Sequence, residues 1–168
     1  MTINGTFTLS CYSSQQPYAY LGISSNSPTP NTPIALVQGK PGNIYTWKMV
    51  ASKESSQVFQ LQIVGSGESL VIDVNTSNNT LILAPLTTAS PMSWWLGGEN
   101  ASNPFAGFPA MLINAGNNKL YALDGGGNST TTPHLWPIAA NNGNQQWLFS
   151  PTPAAYQARA GETSAAEV

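Results

Sequence analysis

The chain is short of charge, of cysteine and of histidine, and each shortage removes a class of function. Only 7% of its 168 residues are Asp, Glu, Lys or Arg, and the formal net charge is −2. The fixed cations Lys40, Lys48, Lys53, Lys119 and Arg159 are scattered singly, so no basic surface exists to neutralise a phosphate backbone. Nucleic acid is not an expected partner. Cys11 is the single cysteine and His134 the single histidine, which excludes an intramolecular disulfide and a Cys/His zinc cluster. No metal and no cofactor are expected. No apolar run approaches the roughly 18 residues of a membrane-spanning helix. Met1 is followed by the polar Thr2, Asn4 and Thr6 rather than by the basic and apolar regions of a secretory signal. The expected location is the cytoplasm, or outside the cell by a route that needs no signal peptide. The Asn-x-Ser/Thr triplets at Asn4, Asn75, Asn78, Asn100 and Asn128 would then carry no glycan.

Catalytic groupings are missing as well. No nucleophile elbow surrounds any serine, and the seven acids are scattered rather than opposed in a pair that could cleave a glycosidic bond. Gly125–Gly127 has no following lysine or helix to make a phosphate loop. The chain is not expected to be an enzyme.

What is present is a series of short apolar or alternating runs broken by Gly, Pro, Asn and Ser. Thr6–Leu9, Ile44–Val50, Val58–Val64, Leu70–Val74, Thr80–Leu83 and Ala110–Ile113 have strand length and β-branched or aromatic members. Gly65-Ser66-Gly67, Asn117-Asn118 and Gly125-Gly126-Gly127 supply turn chemistry between such runs. The pattern predicts an all-β domain.

A weak internal repeat sharpens that prediction. With Trp47, Trp95 and Trp147 superposed, Ser24, Asp73 and Asp124 fall 23, 22 and 23 residues before them, and Leu36, Ala84 and Trp136 occupy a third shared position. Asp73 and Asp124 are the only aspartates in the chain. Three units of about 50 residues cannot each bury an apolar face alone, so a closed threefold arrangement sharing one core is expected, with the recurring tryptophans as inward anchors. The repeats run at about 5–52, 53–104 and 105–150 within a domain of residues 1–150, and 151–168 reads as a flexible tail.

The densest chemistry lies in the third unit, between Ala122 and Phe149. Gln145-Gln146-Trp147 matches the Gln-x-Trp motif, and Leu135–Trp147, LWPIAANNGNQQW, is the most specific string. This unit resembles the ricin-type β-trefoil lectins; the first two keep a tryptophan, in Tyr45-Thr46-Trp47 and Ser93-Trp94-Trp95, and lose the glutamine. The resemblance, which extends to single-domain fungal lectins of the family, implies a β-trefoil. It also implies one non-catalytic site for galactose- or N-acetylgalactosamine-type glycans.

Carried over residue by residue, the resemblance makes Asp124 the acceptor of ring-hydroxyl hydrogen bonds, Trp136 the aromatic on which the sugar stacks, and Asn144 a donor and acceptor beside them. Gln145 orients Asp124 or the sugar from behind, Gly127 offers a backbone N–H, and His134 stands where the family usually has Gln. Asp124 could instead cap the glycine turn, and His134 could be a satisfied surface residue. One weak monosaccharide site per chain would gain avidity from a second chain, so a homodimer is expected. The competing reading is a β-trefoil protease inhibitor acting through the Pro-rich loops Ser24–Pro33 and Glu99–Pro109, although neither contains Lys or Arg.

Overall fold

A computed structural model describes residues 5–12, 19–39, 42–52, 55, 57–75, 77–78, 80–87, 92–98, 109–114, 119–126 and 132–152. Among them are twelve strands in three groups of four. The first group is β1 (Phe7–Cys11), β2 (Ala19–Gly22), β3 (Ala35–Gln38) and β4 (Thr46–Ala51); the second is β5 (Phe59–Ile63), β6 (Leu70–Asn75), β7 (Thr80–Pro85) and β8 (Trp95–Gly97). The third is β9 (Ala110–Asn114), β10 (Leu120–Asp124), β11 (His134–Pro137) and β12 (Trp147–Pro151). In β1 the alternation Phe-Thr-Leu-Ser-Cys buries Phe7, Leu9 and Cys11 and leaves Thr8 and Ser10 half-buried, the two-residue period of a strand with one face on the core. In β5 all five residues are buried.

The pairings close a six-stranded barrel. Strand β1 pairs with β4, β4 with β5, and β8 with β9, all antiparallel. The Phe59–Trp94 bridge links β5 to the start of β8, Trp147 N–H donates to Pro109 O at 3.1 Å next to β9, and β12 returns to β1 from Phe7–Pro151 through Cys11–Trp147. The remaining strands form three hairpins, β2–β3, β6–β7 and β10–β11. They meet one another through Pro33–Ile82 and His134–Thr80. A closed barrel leaves no free barrel edge, which is the physical reason for sharing one core among three weak units. This is the β-trefoil.

The structure corrects the repeat alignment in three places. Phe7 faces Trp47 in the first group as Phe59 faces Trp94 in the second, so Trp94, not Trp95, is the counterpart of Trp47 and Trp147. Those three indoles are fully buried, whereas Trp95 is half-buried. A one-residue slip moves a side chain to the opposite face of a strand, and Trp94-Trp95 gave the sequence two tryptophans to choose between. In the hairpins, Leu123 faces Leu135 as Leu21 faces Leu36, so Gly22, not Ser24, matches Asp124. By the same register Val37, not Leu36, matches Trp136, while Asp73 and Ala84 keep their assigned positions. From the position of Asp124 to the buried indole the units span 25 (Gly22–Trp47), 21 (Asp73–Trp94) and 23 (Asp124–Trp147) residues, the difference lying mostly in the hairpin loops, and a fixed spacing cannot follow them. Asn117-Asn118, residues 99–108 of the second Pro-rich loop, Gly127 and residues 153–168 of the expected tail lie outside the described residues.

Candidate functional site

The third hairpin and the turn that follows it converge on Asp124. Strands pair so that Asp124 faces His134 and Ala122 faces Trp136, which places all four side chains on one face of the hairpin. After β11 the chain turns back through Ala139–Asn142, with Asn141 at φ 58, into a short 3-10 turn at Gly143–Gln145. Asn-Asn-Gly suits that reversal, because asparagine tolerates the left-handed conformation and caps the following turn.

Asp124 is only 4% exposed, and its carboxylate is held from three sides. Oδ1 accepts the Gly126 N–H at 2.8 Å; Oδ2 accepts Asn142 Nδ2 and Gln145 Nε2, each at 3.2 Å. Every donor is neutral, and from residue 120 to residue 158 Asp124 is the only charged side chain in the sequence. Hydrogen bonds rather than a counter-ion therefore compensate the burial of this acid. A carboxylate offers about four acceptor positions. Three are filled by the protein, which leaves one, on Oδ1, without a donor among the described residues.

Gln145 ties the site together. Its Nε2 also donates to Pro137 O at 3.0 Å and its Oε1 accepts Ala139 N–H at 3.0 Å, joining the ends of β10 and β11 to the 3-10 turn. It lies buried behind Asp124. Beneath the turn, Gly125 N–H and the Cys11 thiol both donate to Asn144 O, at 2.8 and 3.4 Å. A Cβ at Gly125 would sit 2.7 Å from Cys11 Sγ, so this glycine is needed for space, while its neighbour Gly126, at φ 75, is needed for conformation.

The expected site residues fall as follows. Asp124, His134, Trp136 and Gln145 are brought together. Trp136 is 55% exposed, and its ring meets that of His134 edge-on with centroids 5.6 Å apart. His134 is half-buried, with Nδ1 3.4 Å from Thr132 O. Asn144 is at the site, but its backbone is committed there: its N–H donates to Asn142 Oδ1 at 3.0 Å and its carbonyl receives Gly125 and Cys11. Gly127 is outside the described residues; the turn amide that reaches Asp124 belongs to Gly126. The turn-capping reading of Asp124 holds at Oδ1, which accepts the Gly126 N–H.

Asn142 was missed by the sequence reading. The side chain that grips Asp124 from the 3-10 turn is this one, two residues before the asparagine of the motif. The signal available was its place ahead of Gly143, as the cap of a turn. The large apolar side chains most exposed to solvent among the described residues are Tyr12, Leu120, Trp136 and Ile138. Leu120 and Ile138 adjoin across the hairpin through the Ile138 N–H to Leu120 O bond, and Tyr12 N–H bonds Gln146 O.

No protein-family model matches the sequence, and no curated protein matches it. Among solved structures, the ricin B-like lectin of Macrolepiota procera, determined with lactose, superposes with a TM-score of 0.55 at 15% identity, covering 90% of this chain and 100% of the lectin. The Rhizoctonia solani agglutinin gives 0.62 at 18% identity, over 90% and 98% of the two chains. A proteinase inhibitor from Coprinopsis cinerea gives 0.59 at 12% identity, over 88% and 97%. The chain thus shares its fold with ricin B-like lectins, and lectins are prominent among the proteins it resembles in structure. Among the described residues no three His, Cys, Asp or Glu side chains group as metal ligands, and no helix is long and apolar enough to cross a membrane.

Proposed function

We propose that this protein is a non-catalytic lectin that binds galactose- or N-acetylgalactosamine-type glycans at one site per chain, in the third repeat. The observation that carries the proposal is a buried, amide-pinned carboxylate at Asp124 sharing a hairpin face with the exposed indole of Trp136. A sugar ring has a hydroxyl-bearing edge and an apolar C–H face, and these two groups complement the two. The other units lack the pair. At the Asp124 position the first has Gly22, where a Cβ would meet Ile44 O and sit 2.8 Å from Tyr45 Cβ, so that position is filled. The second keeps Asp73 but has Ala84 in place of the indole and Met92 in place of Gln145.

One shallow site implies dissociation constants on the order of millimolar to micromolar, about −4 to −8 kcal/mol. Homodimerisation would then supply avidity, and sedimentation of a strict monomer that still cross-links cells would remove it from the proposal. A glycan array followed by calorimetric titration tests the site: galactosides bind with a stoichiometry of one, and Trp136→Ala binds them roughly tenfold to a hundredfold more weakly. Unchanged binding by Trp136→Ala would overturn the location.

The inhibitor reading rests on the loop Ser24–Pro33. It is tied to β7 by Asn31 N–H to Leu83 O at 2.8 Å and Leu83 N–H to Thr32 O at 2.9 Å, which makes it a stiff, largely exposed loop on a fold that a fungal inhibitor shares. A protease panel run beside the glycan array separates the two readings.

A further inference from the structure

We propose that Asn142 is a positioning residue that selects which oxygen of Asp124 meets the ligand; the proposal rests on the carbohydrate reading above. Its single amide does two jobs. Nδ2 donates to Asp124 Oδ2 at 3.2 Å, and Oδ1 accepts the Asn144 N–H at 3.0 Å, capping the 3-10 turn from an extended backbone at φ −82, ψ 101. The first contact, with Gln145, fills both acceptor positions of Oδ2 and fixes the plane of the carboxylate. The second fixes the peptide of Asn144, whose carbonyl anchors Gly125, the residue after the acid. Asp124 and the turn are therefore set by one side chain. Oδ1 is left as the ligand-facing oxygen.

The chemistry around the acid makes this contact matter. Gln145 divides its Nε2 between Asp124 and Pro137 O, whereas among the described residues Asn142 Nδ2 donates to Asp124 alone. The titratable groups around the pair are His134, opposite Asp124 on β11, and Cys11, below Asn144; no Lys, Arg or Glu occurs from residue 120 to residue 158. That segment therefore holds no cation to replace a lost donor.

Three variants separate positioning from simple capping, with lactose and N-acetylgalactosamine as probes in calorimetric titrations from pH 5 to pH 8. Asn142→Ser keeps a good cap but cannot reach Asp124. It is expected to melt below wild type, because a donor to the buried carboxylate is lost, but above Asn142→Ala, and to bind on the order of tenfold more weakly. Asn142→Ala should lose the same affinity and melt lower still. Asn142→Asp keeps the cap but sets a carboxylate against Asp124, and two carboxylates in contact cannot both stay ionised. Its affinity, taken as a ratio to wild type at each pH so that His134 cancels, should be lowest at pH 8 and recover toward pH 5. Wild-type affinity in Asn142→Ser, or a flat ratio for Asn142→Asp, would overturn the proposal.

If the wild-type protein binds neither sugar, the carbohydrate reading fails while the Asn142–Asp124 coupling is still decided by stability. In folded Asn142→Asp the pair holds a proton more tightly than the unfolded chain does, so stability relative to Asn142→Ser must rise as pH falls. A parallel pair of stability curves would reject the contact itself.

Discussion

The second and third units carry the same acid at the same register position and use it differently. Asp124 is covered, and its two oxygens are divided between a backbone amide and two side-chain amides. Asp73 is only partly buried; its Oδ1 accepts the backbone N–H of Val74 at 2.8 Å and of Met92 at 3.3 Å. Met92 occupies the place of Gln145 and has no amide to give. The lesson is that an aspartate becomes a built acceptor through what stands two residues before the buried tryptophan, not through its own presence. The tryptophans themselves repeat the contrast: Trp47 Nε1 donates to Leu21 O at 2.8 Å and Trp147 Nε1 to Leu123 O at 2.9 Å, whereas Trp94 Nε1 is buried with no acceptor among the described residues.

The sharpest way to break this comparison is at the acid. Asp124→Ala should weaken galactoside binding on the order of a hundredfold, about 3 kcal/mol, because a charged acceptor is lost; Trp136→Ala should lose roughly tenfold to a hundredfold while melting normally. Titration calorimetry with a melting curve reads both quantities. Next in size, Gly125→Ala should destabilise the fold by about 1–3 kcal/mol through collision with Cys11. Cys11→Ala in the same chain should recover part of that loss, and additivity of the two changes in chemical denaturation would show that they do not touch.

A smaller effect compares the indoles. Trp47→Phe and Trp147→Phe each surrender a made hydrogen bond, while Trp94→Phe removes a desolvated N–H with nothing to bond. Denaturant unfolding should show Trp94→Phe milder than either by about 1–3 kcal/mol. Least of all, Asp73→Asn should change galactoside affinity by less than about twofold, ~0.4 kcal/mol. A large change would mean that the second unit also binds.

Much of the fold was readable because strand alternation and turn residues act locally. Each of the six runs singled out in the sequence overlaps a strand by at least three residues, and Gly65 and Gly126 do take positive φ, at 97 and 75. Of the candidate site, the juxtaposition of Asp124, Trp136 and Gln145 was readable because a motif fixed it. The site was not readable at Asn142, in a chain rich in asparagine, because its importance comes from facing an acid 18 residues away.

By itself, the sequence determined that this chain builds short strands in three related units, and that the third unit alone assembles an acid, an indole and a Gln-x-Trp. Those properties follow from residue type and local period. Tertiary structure decided that Trp94 rather than Trp95 enters the core, that Gly22 fills the first unit's position, and that Gly126, Asn142 and Gln145 together hold the carboxylate of Asp124. Such choices depend on strand register and on partners brought together by barrel closure, where a shift of one residue exchanges inside for outside.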